Sequence, residues 1–166
     1  MPHDLRLLFV GINPGLVSAA TGLHFARRGN RFYPALVGAG VLPEGVVDAA
    51  DARPFLLRAG VGITNLVARS SARADELEPG EIVAGYARLG KVVASHRPAV
   101  VAFLGITTYR VATGDRRAKA GVQESPWPGT QVWVAANPSG LNAHATLESL
   151  TADYREIAVA AGVVQP

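Results

Sequence analysis

The chain has 166 residues, 49% of them hydrophobic, and a formal net charge of +3. That apolar content excludes a disordered chain, which cannot bury enough apolar surface to offset the entropy of ordering, and the length suits a single domain over residues 1–166. Cysteine is absent, so disulfides, thiolate nucleophiles and cysteine-bound metal clusters are excluded together.

From the N-terminus, Leu5 to Val10 is a short, nearly continuous apolar run, as expected of a parallel strand covered on both faces. Residues 11 to 30 carry Gly, Pro, Ser, Thr and Asn with little periodicity, and read as a long loop of the kind that usually serves function. Arg31 to Ala39 has helical spacing and stops at Gly40; residues 41 to 52 read as a connector. Pro54 suits a helix first turn, so Pro54 to Ala59 is expected as a short helix ending at Gly60. Val61 to Val67 is a second strand, and Gly80 to His96 a helix with Ile82, Val83, Tyr86, Leu89, Val92 and Val93 at helical spacing. Ala99 to Leu104 is the third strand, Gly105 to Ala112 a short helix, and 113 to 130 a polar loop. Gln131 to Ala136 is the fourth strand and Thr146 to Ala161 the last helix. Strands alternating with helices predict an α/β fold with a four-stranded, mainly parallel sheet covered on both faces.

The N-terminus lacks a basic region followed by a long apolar stretch, and the longest apolar runs are strand-sized, so a cytoplasmic protein without membrane contact is expected. Of the 16 basic residues 14 are Arg, clustered at Arg27, Arg28 and Arg31 and again at Arg116, Arg117 and Lys119. A charge of +3 favours a polyanionic partner only slightly; the clustering is the stronger hint. His3, His24, His96 and His144 show no metal-ligand spacing, and no serine sits in a nucleophile elbow. Neither a P-loop nor a dinucleotide fingerprint is present, which disfavours a binder of small nucleotides.

Two Asn-Pro turns follow apolar runs at opposite ends of the chain: Gly11-Ile12-Asn13-Pro14-Gly15 and Asn137-Pro138-Ser139-Gly140-Leu141. If both runs are parallel strands of one sheet, both turns leave at its carboxyl edge, where open α/β sheets place ligands. The string Gly11 to Leu16, continued by Ser18-Ala19, Thr21-Gly22, His24-Phe25-Ala26 and Gly29-Asn30-Arg31-Phe32, resembles the first motif of the mismatch-specific uracil-DNA glycosylases, relatives of thymine-DNA glycosylase. Asn137 to Leu141 resembles their second motif. The likeness continues through Gly62 to Val67 and Val101 to Gly105, to about residue 160.

The resemblance implies a three-layer α/β/α fold and a monofunctional glycosylase. Such an enzyme extrudes a nucleotide from double-stranded DNA, holds its base and hydrolyses the N-glycosidic bond without metal or cofactor. It implies that Asn13 positions the water, that Gly11, Ile12, Pro14, Gly15, Phe25 and Asn137 form the base pocket, and that Phe25 stacks on the flipped base. Ser139, Gly140, Leu141 and Asn142 would supply the wedge and contacts to the widowed base. Ser18, Arg27, Arg28, Arg31 and His144 would touch phosphates, Arg31 having a structural alternative at the start of its helix. Uracil opposite guanine is the expected substrate and the protein a monomer. Ethenocytosine, thymine opposite guanine or a deaminated purine is the alternative substrate, and a non-catalytic lesion binder the alternative class. Two departures stand out. Asn142-Ala143-His144 replaces the Ser-Arg that often follows the wedge, and Asn65 stands where a Lys can occur.

Overall fold

The computed structural model describes residues 1–166. Five strands form one sheet in the order β2-β1-β3-β5-β4: β1 Leu7–Gly11, β2 Val61–Asn65, β3 Val100–Leu104, β4 Gly121–Gln123 and β5 Gln131–Ala135. The first, second, third and fifth strands are parallel, and β4 pairs antiparallel with β5. The sequence predicts four strands; the fifth lies inside the expected 113 to 130 loop. It escaped notice because it has three residues, and its one large apolar side chain, Val122, is 61% exposed. An edge strand of that length leaves no alternating pattern to read.

Six helices flank the sheet: α1 Leu16–Thr21, α2 Phe32–Gly38, α3 Ala49–Ala59, α4 Pro79–His96, α5 Ile106–Thr113 and α6 Leu147–Ala160. Alternate residues of β1 feed two cores. Leu7 and Phe9 pack with α2, α3 and α6, while Leu8 and Val10 pack with α4 and α5. That arrangement makes three layers. It also explains why β1 and β3, buried at every position, read as unbroken apolar runs rather than alternating ones. No helix is long and apolar enough to cross a membrane.

Two further boundaries differ from the sequence expectation. Helix α3 begins at Ala49, five residues before Pro54, because the Asp48 carboxylate caps it by accepting the Asp51 amide at 3.0 Å. Pro54 therefore lies inside the helix, and the connector is shorter than expected. A one-and-a-half-turn helix, α1, stands within the 11 to 30 loop and has no buried residue, so no apolar stripe announced it. Helix α4 opens with the Glu81 carboxylate accepting the Glu78 amide at 2.9 Å and with Pro79 in its first turn. Gly85 of that helix lies against the Leu66 carbonyl, where a Cβ would collide, so α4 packs directly on the segment that follows β2. The register aligns Gly11 with Asn65 and Leu104 with Ala135, so the segments after β1, β2, β3 and β5 emerge together at the carboxyl edge.

Candidate active site

A cavity of about 330 Å³ opens at that edge. Of the residues singled out from sequence, it is lined by Gly11, Ile12, Asn13, Pro14, Gly15, Ser18, Phe25, Arg27, Asn137, Ser139 and Leu141. The two Asn-Pro turns thus share one site. Arg28, Arg31, Gly140, Asn142 and His144 lie outside its lining, whereas His24, Asn30, Asn65, Leu104 and the run Ser71 to Asp75 complete it.

The Asn13 side chain is fixed from one end. Its Nδ2 donates to the Arg69 carbonyl at 2.9 Å and to Ser71 Oγ at 2.8 Å, while Ser71 Oγ donates its own hydrogen to the Arg73 carbonyl at 2.6 Å. A carbonyl can only accept, and a hydroxyl whose hydrogen is committed can only accept as well, so the nitrogen must face these two partners. Oδ1 is left with no protein donor. Ser71 also meets the first motif through its backbone, donating to the Pro14 carbonyl at 3.4 Å. The backbone N–H groups of Ile12 and Asn13 make no hydrogen bond within the protein, and so are available to an oxygen of a ligand in the cavity.

Gly11 ends β1 with no room for a side chain: a Cβ there would overlap Asn65 Oδ1 and stand 3.4 Å from Phe25 Cζ. Asn65 and Phe25 thus approach one another over the backbone of Gly11. Phe25 has a left-handed backbone, φ 53°, unusual for an aromatic residue. It is held there by stacking on Phe32, with ring centroids 4.1 Å apart and planes at 27°, and by the Ala26 amide donating to Ser18 Oγ at 3.2 Å. Gly15 is different. Its φ is −67° and a Cβ would meet nothing within 4 Å, so the missing side chain leaves open space.

The second turn is an internally bonded loop. Asn137 Oδ1 accepts the Ser139 amide at 2.9 Å, Asn142 Nδ2 donates to the Asn137 carbonyl at 3.0 Å, and Asn142 Oδ1 accepts the His144 amide at 3.1 Å. The Asn142 backbone is also occupied, its N–H donating to the Ser139 carbonyl and its carbonyl accepting from Arg31. Each polar group of Asn142 thus has one partner in shaping the loop, which leaves it one Nδ2 hydrogen and spare acceptor capacity for the expected contact to a widowed base. Gly140 is exposed, and its backbone N–H and carbonyl have no partner. Leu141 is 71% exposed beside the cavity.

Of the two roles expected for Arg31, its contacts match the structural one. Its guanidinium donates to the carbonyls of Pro138, Ser139, Asn142 and Ala145, so it is directed into the protein and is not presented to a phosphate. Arg27 and Arg28, in contrast, are exposed and carry no side-chain hydrogen bond, and Arg27 borders the cavity. His144 is exposed and does not line the cavity. Across the mouth, Arg73 and Asp75 pair at 3.0 Å, both largely in solvent. Burial of His24 lowers its pKa, favouring the neutral ring at the cavity wall. Further out, the Arg69 guanidinium grips both oxygens of Glu81 at 2.8 and 2.9 Å, and this contact holds the Glu81 carboxyl down to about 2. No three His, Asp or Glu side chains converge as a metal site would require.

Ser71 is the residue that sequence reasoning missed at greatest cost. It sits in a polar stretch without periodicity or motif. The usable signal was topological: a segment leaving a parallel strand must emerge at the same edge as the Asn-Pro turns. The arrangement joins an amide with a free acceptor, unbonded main-chain donors, an aromatic ring and an exposed leucine around one cavity. A family model for the uracil DNA glycosylase superfamily matches residues 1–160, and this chain therefore belongs to that superfamily of DNA glycosylases.

Proposed function

We propose that this glycosylase is of the mismatch-specific uracil-DNA type: it flips uracil out of duplex DNA, most readily opposite guanine, and releases it by hydrolysis without cutting the strand. The observation that carries the reading is the pinned amide of Asn13, with Oδ1 free beside the cavity. Cleavage breaks the C1′–N1 bond, and its electron pair leaves with the base. A water oxygen then bonds C1′ of the sugar cation, and the proton it sheds passes to solvent while the departing base anion takes one up. An amide is too weak a base to activate water, so Asn13 Oδ1 serves by orienting it. The unbonded N–H groups of Ile12 and Asn13 are suited to the oxygens on which the leaving base develops charge.

Phe25 offers a ring to the extruded base, and such stacking contributes roughly 1–3 kcal/mol per base. Asn65 and the unbonded Nδ2 of Asn137 give the wall polar groups that can read a pyrimidine edge. Leu141 would fill the gap left in the stack, as apolar wedges do in locally unstacked DNA, and Gly140 retains free backbone groups for the widowed base. Arg27 and Arg28 are the free cations for phosphates. The two lysines, Lys91 and Lys119, lie outside the cavity, which favours hydrolysis over a Schiff-base lyase.

A second reading, a broader substrate range including ethenocytosine or thymine opposite guanine, is favoured by the open space at Gly15. Duplexes bearing U·G, U·A, T·G, ethenocytosine·G and hypoxanthine·T, with abasic sites revealed by alkali, separate these readings. Asn13→Ala should abolish excision while leaving DNA binding intact. Undiminished excision by that variant refutes the mechanism, and binding without excision by the unaltered protein would make it a lesion-binding module.

A further inference from the structure

We infer that Arg31 is a positioning residue: it holds the loop that carries Leu141 in the shape needed to enter DNA, and thereby sets the preference for duplex over single-stranded substrate. The inference rests on the wedge role of Leu141 in the reading above. It starts from an imbalance of charge, since Arg31 has no carboxylate partner. Its partners are carbonyls, all from the second motif and its continuation. Nη2 donates to Ser139 O at 2.6 Å and to Asn142 O at 2.9 Å, Nη1 to Ala145 O, and Nε weakly to Pro138 O at 3.5 Å. The Arg31 backbone N–H adds a bond to the Pro138 carbonyl at 3.0 Å.

Geometry follows from that convergence. Ser139 and Asn142 flank the Gly140-Leu141 tip, and their carbonyls meet at one nitrogen. With both stems of the turn drawn inward, the two residues between them must project outward, and Leu141 is the large apolar side chain that does so. Contact on the neighbouring side is equally close, since a Cβ on Gly140 would stand 2.7 Å from the Gly29 carbonyl. The segment Gly29 to Arg31 is therefore the mould for the tip. Only a planar guanidinium fork can serve several carbonyls in fixed directions; a lysine ammonium supplies the same charge as a point. That difference separates positioning from simple attraction to phosphate, which lysine would preserve.

The test uses a duplex with a tetrahydrofuran abasic analogue opposite guanine and 2-aminopurine beside it, whose fluorescence rises when the stack is opened. The readout needs no excision, so it stands apart from the choice of substrate base. At saturating protein the unaltered enzyme should raise the signal; Arg31→Lys and Leu141→Ala should each lose most of it, and the double variant no more than Leu141→Ala. In parallel, the ratio of uracil excision from U·G duplex to that from single strands should fall at least tenfold in Arg31→Lys. If Arg31→Lys does not fold, as judged by circular dichroism, Gly140→Ala displaces the same tip from Gly29 and should give the same pattern. Full fluorescence and an unchanged ratio in the folded Arg31→Lys variant overturn the inference, as does a flat signal with the unaltered protein. A normal fluorescence response without uracil excision overturns the substrate assignment alone.

Discussion

Replacing Ser71 by alanine isolates the orientation of Asn13 from its presence. Ser71 is 6% exposed, and its hydroxyl takes one of the two hydrogen bonds that fix Asn13 Nδ2. Alanine leaves the bond to the Arg69 carbonyl, so the amide is loosened rather than released. A net hydrogen bond contributes about 0.5–1.5 kcal/mol, and a buried donor left unmade costs about 1–3 kcal/mol. Because Asn13 is only half-buried, about 1–2 kcal/mol is the appropriate range, which corresponds to a roughly 5- to 30-fold slower chemical step. Single-turnover excision from a U·G duplex, with enzyme in excess and binding measured separately, reads that step. Asn13→Ala should lose at least about a hundredfold if, as proposed, it removes the group that orients the water. The double variant should be no slower than Asn13→Ala, because a positioning contact has nothing left to position. A wild-type rate in Ser71→Ala, or losses that simply add in the double variant, would refute the reasoning.

Gly11→Ala should fold yet lose excision, because its Cβ meets Asn65 Oδ1 and Phe25 at the floor of the cavity; a variant with full activity would show that the floor can move. Gly15→Tyr enters open space with a compatible backbone, so it should narrow the substrate range toward uracil with little change in melting temperature, measured as the ratio of ethenocytosine to uracil excision. Arg27→Ala should weaken DNA binding and lower its salt slope by about one ion, and an unchanged slope would remove Arg27 from the phosphate contacts. Burial depresses the pKa of His24 below 6.5, so the unfolded chain takes up that proton first as the pH falls. Its contribution to stability is therefore complete above about pH 6.5 and is lost on acidification below it. Urea midpoints between pH 8 and pH 5 should show that decline, and His24→Gln should shed part of it.

Legibility in the sequence followed the physical origin of each signal. Strands β1 and β3, buried on both faces, wrote themselves as apolar runs, and α4 as a 3.6-residue stripe. The short elements β4 and α1 did not, because neither buries a repeating face. Within the site, Asn13 and Asn137 were visible as turn chemistry at the ends of strands. Their partners were not, since the bonds from Asn13 to Arg69 and Ser71 span more than fifty residues and depend on how the segment after β2 folds back. Arg31 shows the limit most clearly. A local reading groups it with Arg27 and Arg28 as one basic cluster, yet its guanidinium reaches carbonyls more than a hundred residues away, while its neighbours remain in solvent.

The boundary between Gly11 and Ile12 has a consequence for hydrogen exchange. Strand β1 lies between β2 and β3 and is buried at every position, so its amides should open only with global unfolding, whereas the next two amides, of Ile12 and Asn13, have no partner and exchange directly with solvent. Strongly protected and unbonded amides thus stand side by side. On the proposed reading, an oxygen of the extruded base would meet two amides that already lack a partner, so no hydrogen bond within the protein has to break at that point for it to bind.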